Sequence, residues 1–246
     1  MRRIRKTIVR RATGLVLGLS LAGAVTGAGQ APPGLREVRS WGTGGLGLVV
    51  GLPVGQFRSF VDVAGGVAGS FAVNLDGRGA VALRFDGAYL QYGNEDRPLA
   101  LAGSGGLVSL DMNTSFFIAS LRAGPQLMLG RGRVRAYGFG TIGVSYFATR
   151  TALTDYGCGC YDLAGTTNYD DGALSLAGGG GLLIDLSRGR HPVSLDLGAS
   201  YVRNGQVSYL REGSIVENPD GSFTLQPVRS DANLVVLQAG VSIGLR

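Results

Sequence analysis

Histidine is almost missing from this chain: His191 is the only one. Acyl-transfer and hydrolytic mechanisms commonly rest on a histidine base beside a Ser or Cys nucleophile. His191 stands between Arg190 and Pro192 in a short turn-like segment where no such set can assemble, so no catalytic residue is assigned and the chain reads as a non-enzyme. Cysteine is nearly as scarce, with two residues, which excludes a multi-disulfide scaffold and an all-cysteine zinc site. Lysine occurs once, at Lys6. Beyond the N-terminal region there is no apolar run of the ~20 residues that a membrane-spanning helix needs.

The N-terminal region has the order of a cleavable export signal. Arg2, Arg3, Arg5, Lys6, Arg10 and Arg11 precede an apolar stretch from Thr13 to Ala24, and Thr26-Gly27-Ala28 places small residues for cleavage after Ala28. The expected organisation is a signal peptide over 1–28, a short periplasmic segment over 29–42 and one β-barrel over 43–246, reached by Sec-type export. The formal charge of +6 belongs to the signal: six of the 23 basic residues lie in 1–11, and the other 17 match 17 acidic ones. A balanced mature chain removes the electrostatic ground for nucleic-acid binding.

What the chain has in quantity is alternation. Leu46, Leu48, Val50 and Leu52 share one parity, as do Val63, Val67, Phe71, Val73 and Leu75, and then Val81, Leu83, Phe85 and Tyr89. The same holds for Phe117 to Leu129, Leu174 to Leu186, Val193 to Tyr201 and Val235 to Leu245. A period of two gives each strand one apolar face. The opposite faces are small or polar, as in Ala64, Gly66, Ala68, Ser70 and Ala72, or Ser194, Asp196, Gly198 and Ser200. A water-facing sheet surface would carry many more charges, whereas small side chains fit the narrow lumen of an eight-stranded barrel. The fifth segment, Val134 to Thr149, is apolar on both faces, and the face with Tyr137, Phe139 and Phe147 is expected outward.

Connections alternate strictly in length. Asp76 to Gly79, Gly130 to Arg133 and Ser187 to Pro192 are tight Gly-bearing turns, while 53–62, 93–113, 149–171 and 205–232 form longer loops. The fold predicted is all-β: an eight-stranded antiparallel up-and-down transmembrane β-barrel with its short turns in the periplasm and its long loops outside. Tyr89, Tyr92, Phe116, Phe117, Tyr146, Phe147 and Tyr201 are expected to form an aromatic girdle near the long loops. Trp41, Phe85, Tyr137 and Phe139 would form a thinner one at the other end. Acidic residues, Glu95, Asp96, Asp170, Asp171 and Glu212 among them, gather in the long loops, and Arg78, Arg131, Arg133, Arg188 and Arg190 gather in the turns.

The export signal, the alternating strands and the run Gly51-Leu-Pro-Val-Gly-Gln-Phe57 together resemble the OmpA/OmpX-like outer-membrane β-barrel family over residues 43–246. Barrels of that family usually finish on an aromatic residue, where this chain has Ser242-Ile-Gly-Leu-Arg246. The resemblance implies the outer membrane of a Gram-negative-type bacterium and no catalytic residue. Its implied partners are membrane lipid with lipopolysaccharide, the outer-membrane assembly machinery, and an extracellular partner reached through the long loops. No cofactor is implied.

Arg84, Asp86, Arg122, Asp185 and Asp196 fall on inward parities and are expected to pair in the lumen, since an unpaired charge there would be costly. Cys158 and Cys160 flank Gly159 in the third long loop, where a strained disulfide, free or intermolecular thiols, or a metal clip with Asp155 and Asp162 all remain open. No metal site is assigned. Gly42-Thr-Gly-Gly-Leu-Gly47 and Gly138-Phe-Gly-Thr-Ile-Gly143 match a dinucleotide fingerprint but lie within strand sequence, not at the opening of a helix. The expected role is a small non-enzymatic outer-membrane protein acting in envelope integrity or surface adhesion. The alternatives are a narrow porin-like channel and a soluble periplasmic ligand-binding barrel.

Overall fold

The computed structural model describes residues 40–100, 109–130, 132–155, 161–187, 191–218 and 223–245. The strands in chain order are β1 (Gly42–Val54), β2 (Ala64–Asn74), β3 (Val81–Ala100), β4 (Ser109–Leu129), β5 (Val134–Asp155), β6 (Tyr161–Ser187) and β7 (Val193–Asn204). Four short ones follow, β8 (Gln206–Tyr209), β9 (Ile215–Glu217), β10 (Phe223–Leu225) and β11 (Val228–Asp231), and then β12 (Asn233–Leu245). The long strands, β1 to β7 together with β12, close into one antiparallel barrel of eight, each paired with the next long strand in sequence. The seam joins β1 to β12, from Gly42 opposite Leu245 to Val54 opposite Asn233.

Closure leaves every barrel strand paired on both sides over the shared span, the condition a sheet must meet in lipid. The outward parities are those of the alternation: Leu46, Leu48, Leu121, Leu129, Leu174 and Leu186 all stand exposed, Leu46 and Leu121 at 69% each. An apolar belt this continuous would be an aggregation surface in water.

Short turns close one end. In the first, Gly79 takes φ +68°, and Asp76 accepts hydrogen bonds from the N–H groups of Val81 at 3.1 Å and Arg78 at 3.3 Å. The Val81 contact is the main reason that the Asp76 carboxyl sits below the usual carboxylate range.

The other end departs from the sequence expectation. The segments 93–113 and 149–171 are largely strand, not loop: β3 and β4 pair as far as Ala100 with Ser109, and β5 and β6 as far as Asp155 with Tyr161. β2 stops pairing with β3 at Gln91, and β7 stops pairing with β6 at Asn204. A four-stranded sheet therefore projects past the closed barrel, by roughly 30 Å along β3 at the ~3.3 Å rise of a strand residue. In water neither of its faces need be apolar, so Asn94, Asp96, Asn113 and Ser115 join in hydrogen bonds across an exposed surface.

The parity of β5 is the reverse of the one expected. Ile142, Val144 and Tyr146 face outward, whereas Tyr137 is 5% exposed and Phe147 1% exposed inside. Both faces of β5 are apolar because the inner one packs against other side chains of the lumen and mouth. The girdle shrinks accordingly. Tyr89, Phe117, Tyr146 and Tyr201 stay on the outward parities, and Tyr89 stacks on Phe117 at 5.1 Å. Tyr92, Phe116 and Phe147 turn inward, as do Tyr137 and Phe139 at the turn end, leaving Trp41 against Phe71 at 5.8 Å outside.

Leu121→Arg, in the middle of the belt, should destabilise the barrel by about 2–4 kcal/mol in bilayers. Ser59→Arg, on an exposed turn beyond it, should stay within about 0.5 kcal/mol. Urea unfolding of the two variants in lipid vesicles checks the contrast; equal effects would place Leu121 in water.

Candidate functional site

Inward-facing side chains organise the lumen in two layers. Near the short turns the charges pair in small sets. Arg84 Nε donates to Asp86 Oδ1 at 2.7 Å and its Nη1 donates to Gln126 Oε1 at 2.9 Å. The same guanidinium lies 4.5 Å from the Phe139 ring centre and 5.4 Å from that of Tyr137, so the aromatic face of β5 supplies π-density to a buried cation. Arg135 Nη2 donates to Asp185 Oδ1 at 2.9 Å, and Ser194 Oγ donates to the same oxygen at 2.8 Å. Asp196 takes the Tyr137 hydroxyl at 2.7 Å and a longer contact from Ser242 at 3.4 Å.

Glycines make room for Tyr137. A Cβ at Gly181 would lie 2.6 Å from the Tyr137 hydroxyl oxygen, and one at Gly198 would lie 2.8 Å from it. The side chain thus crosses β6 and β7 where they present no side chain of their own, and so reaches Asp196.

Of the five residues singled out in the sequence, Arg84 and Asp86 come together directly, while Asp185 and Asp196 each meet a different β5 residue. Arg122 has no carboxylate within ion-pair distance among the described residues. Arg135 and Tyr137 were missed because the reversed parity of β5 put both outside. Cys158 and Cys160 lie outside the described residues. His191 is exposed in the third short turn. Among the described residues no three His, Cys, Asp or Glu side chains converge as metal ligands.

The long-loop end is stoppered by an apolar cluster. Phe57 from the first loop is fully buried, 5.2 Å from Tyr209 of β8, 5.9 Å from Tyr92 of β3 and 6.4 Å from Phe147 of β5, all edge-on. Phe116, Ile118, Val207, Leu210, Ile215 and Leu234 complete the packing. Hydrogen bonds pin the fourth loop over the mouth: Tyr92 donates to the Leu210 carbonyl at 2.9 Å, and Arg97 donates to the Ile215 carbonyl at 2.8 Å. Burial pushes the Tyr209 hydroxyl up, against a hydrogen bond with Ser230 that pulls the other way. Between stopper and charge layer lies a cavity of about 40 Å³. At ~10–15 Å³ per water, it has room for a few small guests.

No family model and no curated protein matches the chain. Among solved structures, it is similar to Ail, the attachment invasion locus protein of Yersinia pestis, at 13% identity, covering 83% of this chain and 98% of that one with a TM-score of 0.41. It is similar to Neisserial surface protein A at 14% identity, covering 85% and 100% with a TM-score of 0.46. A major outer membrane protein from Thermus thermophilus matches at 14% identity, covering 82% and 98% with a TM-score of 0.42. At such identities and scores no residue role or activity passes from those proteins to this chain.

Arg84→Met should cost about 3–5 kcal/mol by leaving Asp86 buried without its partner. Tyr137→Phe should cost about 1.5–3 kcal/mol, the worth of a hydrogen bond to a charged group. Both are read from denaturant midpoints of the refolded barrel. The raised Tyr209 hydroxyl carries a pH signature as well. Its neutral form is favoured on folding, so its contribution is complete below the ordinary tyrosine range and is lost as the pH rises through the folded value. Tyr209→Phe should therefore flatten part of the alkaline loss of thermal stability, measured by circular dichroism.

Proposed function

We propose that this chain is a small non-enzymatic outer-membrane barrel whose working surface is the projecting sheet and the loop that caps it, with a role in surface contact or envelope integrity. The observation that carries the reading is the stoppered mouth. Phe57, Tyr92, Phe147 and Tyr209 fill the space through which a solute would enter, so both a pore and an open ligand pocket are disfavoured, and the chemistry left to the outside lies on β3 to β6 and the fourth loop. The apolar belt supports a membrane location over a soluble periplasmic one. The single exposed histidine supports a non-catalytic role.

The projecting sheet offers what an adhesive surface uses. β3 beyond Gln91 and β6 before Ser175 pair with only one barrel strand each among the described residues, and unpaired strand edges offer backbone donors and acceptors to another chain. Part of each edge is already engaged by the fourth loop, since Asn94 N–H donates to Glu212 Oε1 at 3.0 Å and Ser208 N–H donates to Asp171 Oδ2 at 2.8 Å. The β6 edge before Asp171 is the freer stretch.

Trimming the β5–β6 projection, by removing 150–168 and joining the ends with a short Gly-containing turn, should leave a folded barrel that no longer adheres to host cells or extracellular-matrix coatings. Full adhesion by that variant would remove the projection from the account. The intact protein in planar lipid bilayers should give no reproducible current steps. Steady single-channel steps would favour the narrow-channel reading.

A further inference from the structure

The cavity below the stopper has a polar wall that its own neighbours do not satisfy. Its lining includes Arg84, Asp86, Ser120, Arg122, Ser145 and Asn204. Ser120 is 5% exposed and Ser145 1% exposed, and among the described residues neither hydroxyl has a hydrogen-bond partner; nor does Arg122 Nε. Strand register explains why these groups gather. Ser120 on β4 sits opposite Ser145 on β5, while Arg122, one inward step along, faces Gly143, which in turn faces Ser175 on β6. With no side chain at Gly143, Arg122 reaches across to the Ser175 hydroxyl at 3.4 Å, a long contact.

Charge in this cavity does not balance. Two guanidinium groups share it with one carboxylate, and Arg84 already holds that carboxylate at 2.7 Å. Asp196, the other carboxylate at mid-lumen, is outside the cavity lining and takes its bonds from Tyr137 and Ser242. Arg122 is partly buried and lies opposite Asp86 across β3 and β4 without reaching ion-pair distance, so one carboxylate serves two cations in a region of low dielectric. Water would satisfy the free Arg122 hydrogen bonds while leaving the excess positive charge of the cavity in place.

We propose that the cavity is a binding site for one small monovalent inorganic anion of the halide class, held by the Arg122 guanidinium and the Ser120 and Ser145 hydroxyls. All three groups can donate hydrogen bonds, as an anion requires. The volume of about 40 Å³ admits a halide with one or two waters. Asn204 Oδ1, an acceptor whose amide nitrogen is fixed on the Ala232 carbonyl at 2.6 Å, takes a water at the far wall. The ion is a structural counter-charge that locks β4, β5 and β6 around the sealed lumen, independent of the adhesive role proposed for the surface.

The test uses the intact refolded protein in detergent, with sodium bromide exchanged for sodium gluconate at constant ionic strength. The unfolding temperature should rise with bromide concentration, and crystals grown in bromide should show an anomalous peak within hydrogen-bond distance of Arg122. Arg122→Gln should abolish both signals. Because that variant risks misfolding, the Ser120→Ala/Ser145→Ala pair, which keeps the guanidinium, provides a second reading and should shift the bromide midpoint at least several-fold. A bromide-independent unfolding temperature in the folded parent, or water alone beside Arg122 in the crystals, overturns the proposal.

Discussion

A sheet in lipid cannot leave an edge unpaired, because no water is present to take up its N–H and C=O groups. The pairing of β1 with β12 is therefore the contact on which the rest of the molecule depends. Closure of eight strands fixes a narrow interior. Alternation then sends every second side chain into that interior and the rest into the membrane. The small inward residues and the apolar outward ones are two consequences of one constraint.

A narrow interior must still be filled, and it is filled differently at its two ends. Near the short turns, charges from β3, β5 and β6 neutralise one another through Arg84 with Asp86 and Arg135 with Asp185, while Tyr137 holds Asp196 of β7 by a hydrogen bond. Toward the long loops the filling is aromatic and is supplied partly from outside the barrel wall, by Phe57 and Tyr209. Coulombic pairing suits the first region because walls of low dielectric strengthen it. Hydrophobic packing suits the second because it lies against water and gains from excluding it. Together they make the barrel a rigid stake carrying a sheet, and direct any contact with the surroundings onto that sheet.

Much of this was legible in the sequence. Seven of the eight barrel strands announced their faces by parity, and the short turns announced themselves by glycine. β5 misled because Tyr137, Phe139 and Phe147 belong to the inner packing, so apolar character ceased to report which side meets lipid. That one reversal also hid Arg135 and Tyr137 from the charge network. Tyr92 and Phe116 could have been placed inside from the alternation alone, since each has the inward parity of its strand, but their nearness to the loops suggested a girdle. The projecting parts of β3 to β6 carried no signal of this kind, because a sheet surrounded by water needs no apolar face. The partnership of Phe57 with Tyr209, 152 positions apart in the chain, depends on how two loops fold back over the mouth, which no local pattern records.

The central claim, a closed barrel with its apolar face in the membrane, is tested most directly by gel mobility of the protein taken from the outer-membrane fraction, with and without heating in SDS. The account predicts a compact, fast-migrating form that converts to the full-length position only on boiling. A single mobility at all temperatures, with the protein recovered from the soluble periplasm, would contradict it and turn the apolar belt into a surface needing another cover.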